Sequence, residues 1–319
     1  MHKIYISILL IFLAFSCDKK RNYPTDLKPT YSNFENDREQ RNLFGKVKQV
    51  EWYKTVYQND KKDGKRILNL KEKFTKFGSL KENSNYDNSG ELIQNDVYEY
   101  DENDFLQKMV STNKRAQISY VMSVYHDTMN KTSTRKVVVN DSLNQEITIF
   151  YNDKDFVIKQ IAIEQNDTTI AKHEYEFNDV DKLVLERQID IESNKPIVTN
   201  EYSYDKNGNL NHYSYKTEWT ELITETVWEN QRISKQTEYT ITADLKKHLD
   251  QITEFDRLYN QTNTKIYENS ELNRELKYEY EFDEKGNWTK REVSMKEHFA
   301  NSNEFTPIYS ETREIKYWE

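Results

Sequence analysis

One short phrase returns along this chain at nearly constant spacing, and that spacing constrains the fold more than any other feature. The phrase is an aromatic residue, then Asp, Asn or Thr, two variable residues, Gly or Asp, one variable residue and an apolar one. It stands at Phe74, Tyr86, Tyr100, Tyr151, Phe177, Tyr204 and Phe282, with weaker copies at Tyr125, Trp228 and Phe255. From Tyr100 onward the starts fall at 100, 125, 151, 177, 204, 228, 255 and 282. That is a period of about 26 residues, in the range of repeat architectures.

Each copy has a physical reading. Aromatic residues at i and i+2, such as Tyr202 and Tyr204 or Tyr278, Tyr280 and Phe282, share one face of a strand. A turn follows, started by an acid such as Asp101, Asp205 or Asp283, whose side chain accepts a backbone N–H two residues on. Of six glycines, four (Gly78, Gly90, Gly208 and Gly286) occupy the turn position that needs φ > 0. Asp104, Asp155 and Asp181 stand there in other copies, and Asp tolerates the left-handed region better than most residues. Gly64, in a longer loop, is expected to accept substitution more readily.

Between turns lie roughly 20 residues, enough for two strands and a second turn, so the unit is a β-hairpin. Asn140-Asp141-Ser142 and Asn194-Lys195-Pro196 are candidates for that second turn. Residues 44–76 fit the same plan, with a turn at 59–64. The expected fold is all-β, an array of antiparallel hairpins forming one long twisted or curled sheet.

Composition agrees. Charged residues make up 32% of the chain, which in a chain poor in aromatics would suit disorder. Here aromatics reach 13%, with 23 Tyr, a residue that buries its ring while keeping its hydroxyl wet. The net charge of −9 and the lack of a basic stripe argue against nucleic acid as a partner. Opposite charges are interspersed along the strands, as on a solvated face.

At the N-terminus Lys3 precedes an apolar run over residues 4–15. The run is shorter than the ~20 residues of a membrane span and has the length of a signal-peptide core. Its end, Ala14-Phe15-Ser16-Cys17, resembles the lipobox of bacterial lipoproteins, with Ala14 where that family usually has Leu and with a bulky Phe15. The resemblance implies cleavage before Cys17 and lipid attachment to it. Cys17 is the only cysteine, so no intramolecular disulfide forms and a thiol-ligated metal is not expected. The chain divides into a signal peptide (1–16), a lipidated Cys with a polar tether (17–42) and a repeat domain (43–319).

The recurring YDxxGxL, preceded by Tyr-x-Tyr, resembles the YD repeats of the RHS family over about residues 44–319. The whole layout is similar to short RHS-like repeat lipoproteins of Bacteroidota. That resemblance implies a location in the cell envelope, lipid-anchored to the outer membrane at its periplasmic face or at the cell surface. The repeats are too few for the shell with which large RHS proteins enclose a toxin, so enclosure is not implied.

Catalytic and metal-binding patterns are missing from the sequence. The D-x-N-G-N at Asp205 would need a bidentate Glu at its twelfth position to be a calcium loop, and Lys216 stands there; from Asp101 the position falls on Thr112. The six His show no ligand spacing, and there is no G-x-S-x-G, P-loop or GxGxxG. Carboxylate pairs such as Glu279 and Glu281 project toward solvent, where nothing raises a pKa. The five Trp (Trp52, Trp219, Trp228, Trp288 and Trp318) suit core packing better than sugar stacking. The expectation is a scaffold or interaction surface without enzymatic activity, cofactor or metal. It meets the membrane through its lipid and an envelope protein as partner, or alternatively a glycan held by exposed aromatics.

Overall fold

The computed structural model describes residues 37–57, 64–102, 104–154, 156–164, 167–298 and 304–319. Cys17, Asp155 and most of the 59–64 turn lie outside the described residues. A single helical turn, α1 (Asp37–Gln40), precedes the strands β1 (Val47–Val56), β2 (Arg66–Phe74), β3 (Leu80–Tyr86), β4 (Leu92–Tyr100) and β5 (Leu106–Asn113). Next come β6 (Ile118–Asp127), β7 (Thr132–Val139), β8 (Ser142–Tyr151), β9 (Val157–Glu164) and β10 (Asp167–Phe177). The third group is β11 (Leu183–Asp190), β12 (Pro196–Tyr204), β13 (Leu210–Lys216), β14 (Glu221–Glu229) and β15 (Arg232–Ile241). The last is β16 (Lys247–Phe255), β17 (Gln261–Glu268), β18 (Glu271–Phe282), β19 (Trp288–Glu297) and β20 (Thr306–Tyr317).

Every strand pairs antiparallel with its sequence neighbours, and β1 also pairs with β20 over nine residue pairs. The expected long sheet is therefore a closed 20-stranded barrel. Closure removes the two edges that an open sheet would leave with unpaired N–H and C=O groups.

One repeat is two strands, so successive phrases return to the same end, here the lower end, where β1 begins. There lie the turns at 75–79, 101–105, 178–182, 205–209, 256–260 and 283–287. Phe74 precedes Tyr100 by one full period and belongs to this series. Tyr86 falls half a period out, and its turn at 87–91 lies at the upper end.

The turn chemistry is uniform. Oδ1 of Asp205 accepts the N–H of Asn207 at 2.8 Å and of Asn209 at 2.9 Å, while the N–H of Gly208 donates to the carbonyl of Asp205 at 2.9 Å. The Oδ1 atoms of Asp283, Asp256, Asn178 and Asn152 likewise accept the N–H groups two and four residues on at their own turns. Asp101 accepts from Phe105, and Asp87 accepts from Ser89 and Glu91. Gly78, Gly90, Gly208 and Gly286 have φ of 101°, 88°, 82° and 84°, and Asp104 and Asp181 take φ of 63° and 58°. Of the second-turn candidates, Asn140 and Asp141 both have positive φ, as a two-residue hairpin turn requires, and so does Asn194. Gly64 departs from expectation, because a Cβ there would lie 1.9 Å from the carbonyl oxygen of Val56. The close approach of backbone to backbone needs its missing side chain.

The aromatic residues fasten one repeat to the one before. The hydroxyls of Tyr100, Tyr175, Tyr204 and Tyr280 donate to the carbonyls of Leu80, Val157, Leu183 and Gln261 at 2.6–2.8 Å. The indole N–H of Trp228 reaches the carbonyl of Leu210 at 2.7 Å. Each acceptor is the first strand residue after the preceding lower turn. A ring that packs and a polar tip that bonds explain why the phrase uses Tyr and Trp.

Residues 37–45 lie across the lower mouth as a strap. Arg38 N–H donates to the carbonyl of Gly78, and Asp37 accepts the N–H of Leu80 at 2.6 Å, both beside the β2–β3 turn. Across the mouth, the Asn42 amide donates to the Leu258 carbonyl and to Asn260 in the β16–β17 turn. Asn287, fully buried, accepts the N–H of Phe44 at 2.6 Å and donates to its carbonyl at 2.9 Å. Residues 37–42, assigned to the tether by their composition, are thus seated on the barrel. Leu43 packs with Val47, Val50, Phe74 and Leu80, so the face carrying these side chains is the inner one.

Candidate functional site

The densest group of charge and aromatic surface lies on the inner face where the ends of the chain meet. Strand alternation places Trp52 of β1, Glu72 of β2, Glu311 and Arg313 of β20, and Trp288 and Arg291 of β19 on that face, with Trp52 directly opposite Arg313. The Arg313 guanidinium is wedged between two indoles, 3.8 Å from the ring centre of Trp52 and 3.5 Å from that of Trp288. The rings meet edge to face at 5.2 Å. Burial, then the nearby Arg291 charge, disfavour the charge on Arg313, while Glu72 and Glu311 support it. A guanidinium stays protonated even so. Arg291 is buried as well, but its ion pair with Glu311 raises its pKa overall. Burial also pushes the hydroxyls of Tyr280 and Tyr309 up to about 12.

Polar satisfaction here is incomplete. Nε and Nη1 of Arg313, Oε2 of Glu72 and Nε1 of Trp52 are buried without a hydrogen-bond partner. Glu72 uses its other oxygen to hold Arg41 of the strap. No nucleophile stands beside a base in this group, so its chemistry is ion pairing and cation–π contact.

The outer face carries ion pairs around the ring. Glu51–Lys71, Lys73–Glu82, Lys136–Glu146, Arg187–Glu176 and Lys290–Glu281 join adjacent strands at 2.7–3.1 Å, and Glu99–Lys108 and Lys216–Glu221 at 3.7 and 3.8 Å. Opposed charges are favourable across strands.

The residues singled out in the sequence lie elsewhere. Gly78, Asp101, Asp205, Gly208, Asp283 and Gly286 form the lower turns, and Gly90 forms an upper one. Asp205, partly exposed, has its carboxyl held below the usual range by the Asn209 amide and by backbone N–H groups. Burial raises Asp283, but the Tyr317 hydroxyl and the turn N–H groups outweigh it. Among the described residues no group of three or more His, Cys, Asp and Glu side chains could hold a metal ion. Trp52 and Trp288 pack inside. Trp219, Tyr125 and Phe77 are more than half exposed but sit on separate hairpins, so they share no stacking platform. A cleft of about 650 Å³ between the β10–β11 and β12–β13 turns is lined by Glu176, Lys182, Arg187, Tyr204 and Asp205 among others. Its Arg187 is paired with Glu176, and Lys182 bonds the Gly208 carbonyl at 2.5 Å.

The inner cluster and the strap were missed in the sequence. The available signal was a charge at an inward strand position, as at Glu72, Arg291 and Arg313, where the alternation otherwise places Trp, Tyr and Val.

No family model matches the chain, and no curated protein matches its sequence. Among solved structures, a porin-like protein from Bacteroides uniformis aligns at 10% identity over 85% of this chain and 96% of its own, with a TM-score of 0.32. A porin-like protein from Bacteroides vulgatus aligns at 7% identity over 85% and 98%, with a TM-score of 0.25. The TcdB2-TccC3 protein aligns at 11% identity and a TM-score of 0.22, and the chain spans 19% of its length. At such scores the barrel rests on its own strand pairing, not on these likenesses.

Proposed function

We propose that the protein is a cell-envelope lipoprotein, anchored through Cys17, whose barrel stands in water as a non-catalytic scaffold and interaction surface for other envelope components. The observation that supports this reading best is the ring of cross-strand ion pairs on the outer face. A membrane-spanning barrel presents an apolar band about 25 Å tall to lipid, and a Lys or Arg at mid-membrane depth there costs about 2–4 kcal/mol. An outer face with Lys71, Lys73, Lys136, Arg187 and Lys290 in ion pairs suits water on that side. The lipobox-like end at Cys17 supplies the anchor, and the absence of a nucleophile–base pair in the inner cluster favours binding over catalysis. The glycan alternative draws less support, since the most exposed aromatic rings are dispersed.

The test is solubility of the mature chain from residue 18, expressed without its signal. It should remain monodisperse in buffer without detergent and show a strand-type spectrum with one cooperative melt. A chain that needs detergent to stay folded would overturn the reading. In the full-length protein, Cys17→Ala should abolish fatty-acid labelling and release the protein from the membrane fraction.

A further inference from the structure

Nineteen of the ring's twenty strand contacts join sequence neighbours, and β1–β20 alone joins strands that no turn connects. A hairpin re-forms after local opening because its turn keeps the two strands at high effective concentration. The β1–β20 contact lacks that advantage. Buried polar atoms without partners occur around the ring, on Tyr120 of β6 and Ser133 of β7 among others; at this contact they are Nε and Nη1 of Arg313 and Nε1 of Trp52, with Oε2 of Glu72 on the adjoining β2. Leaving such groups unpaired destabilises the closed state, and exposure to water would satisfy them. A third observation concerns what spans the contact. The strap bonds the β2–β3 turn on one side and the β16–β17 and β18–β19 turns on the other. Asn287 ties it to the end of β20 by donating to the Tyr317 hydroxyl at 2.8 Å.

We propose that the barrel opens laterally between β1 and β20, and that residues 37–45 are the clasp that holds this seam shut. When the clasp is seated, Arg41 neutralises Glu72, Leu43 covers Val47 and Val50, and Asn287 fixes Phe44 to the last strand. When it lifts, β1 and β20 part and the Arg313 cluster meets water. Nothing in the device depends on lipidation of Cys17, so it stands or falls separately from the proposed anchoring.

The test is native-state hydrogen exchange, read by mass spectrometry, on the full chain carrying Cys17→Ser. Amides of β1 and β20 should exchange at least tenfold faster than those of β6 and β7, and Asn287→Ala should widen the gap without changing β6 or β7. A disulfide from Thr55→Cys with Ser310→Cys, directly opposed across the seam, should abolish the difference. The same lock at Ser123→Cys with Lys136→Cys, opposed in β6 and β7, should not. Uniform exchange around the ring, or slowest exchange at the seam, would overturn the proposal. If Asn287→Ala fails to fold, the wild-type profile and the two locks still decide it.

Discussion

At Gly208 and Gly286 the backbone sits at φ of 82° and 84°, and a β-branched side chain is strained there whatever space surrounds it. Gly208→Val and Gly286→Val should each lower stability by about 1–2 kcal/mol, read from urea melts. Gly208→Asn should cost less, since Asn tolerates this region. Gly64 should be intolerant for another reason, its contact with the Val56 carbonyl. The acids that begin the turns respond to pH. Asp205 and Asp283 are held below their ordinary carboxylate value of 3.8 in the folded chain. Their contribution is therefore complete above about pH 4 and is lost as pH falls through the depressed folded value. Asp205→Asn, which matches Asn152 and Asn178 at their own turns, should remove its share of that acid sensitivity while leaving the melting temperature at pH 7 nearly unchanged. If Asp205→Asn leaves the acid limb of the stability curve where it was, the turn carboxylate is not the source.

At the scale of the hairpin, the repeat is defined as much by its staple as by its turn. Tyr204→Phe keeps the ring and deletes only the bond to the Leu183 carbonyl, and should cost about 0.5–1.5 kcal/mol. The equivalent change at Tyr125, which is 61% exposed, should be near neutral. Chelator should shift the melt of neither protein, because the D-x-N-G-N carboxylate is already engaged by its own turn. This level was well legible in the sequence. Turn chemistry is local: an Asp, a left-handed residue and flanking aromatics announce it without reference to the rest of the chain, as the φ values of Asp104 and Asp181 bear out. The staple acceptors were not legible, since a backbone carbonyl some 20 residues upstream has no side-chain signature.

For the whole molecule, closure is the feature that local patterns could not announce. The pairing of Val47 with Tyr317 and of Trp52 with Arg313 joins residues more than 250 positions apart, and nothing in either strand's alternation distinguishes an edge that closes from one that stays open. Polar residues 37–42 read as tether because the partners of Asn42, Leu258 and Asn260, come from a turn more than 200 residues later. Removing residues 178–204, one full period, joins Phe177 to Asp205 and leaves strand direction and facing intact. That variant should fold with strand-type circular dichroism. Removing 13 residues instead reverses which side chains face inward and should yield aggregate. The single turn series at the lower end carries a further consequence. Antiparallel closure permits only an even number of strands, so the girth of this molecule can change only by whole hairpins. Each adds two interstrand spacings of about 4.8 Å to the circumference, or roughly 3 Å to the diameter. Relatives built from the same phrase should therefore come in discrete calibres, with the bore of each read directly from the number of phrases its sequence contains.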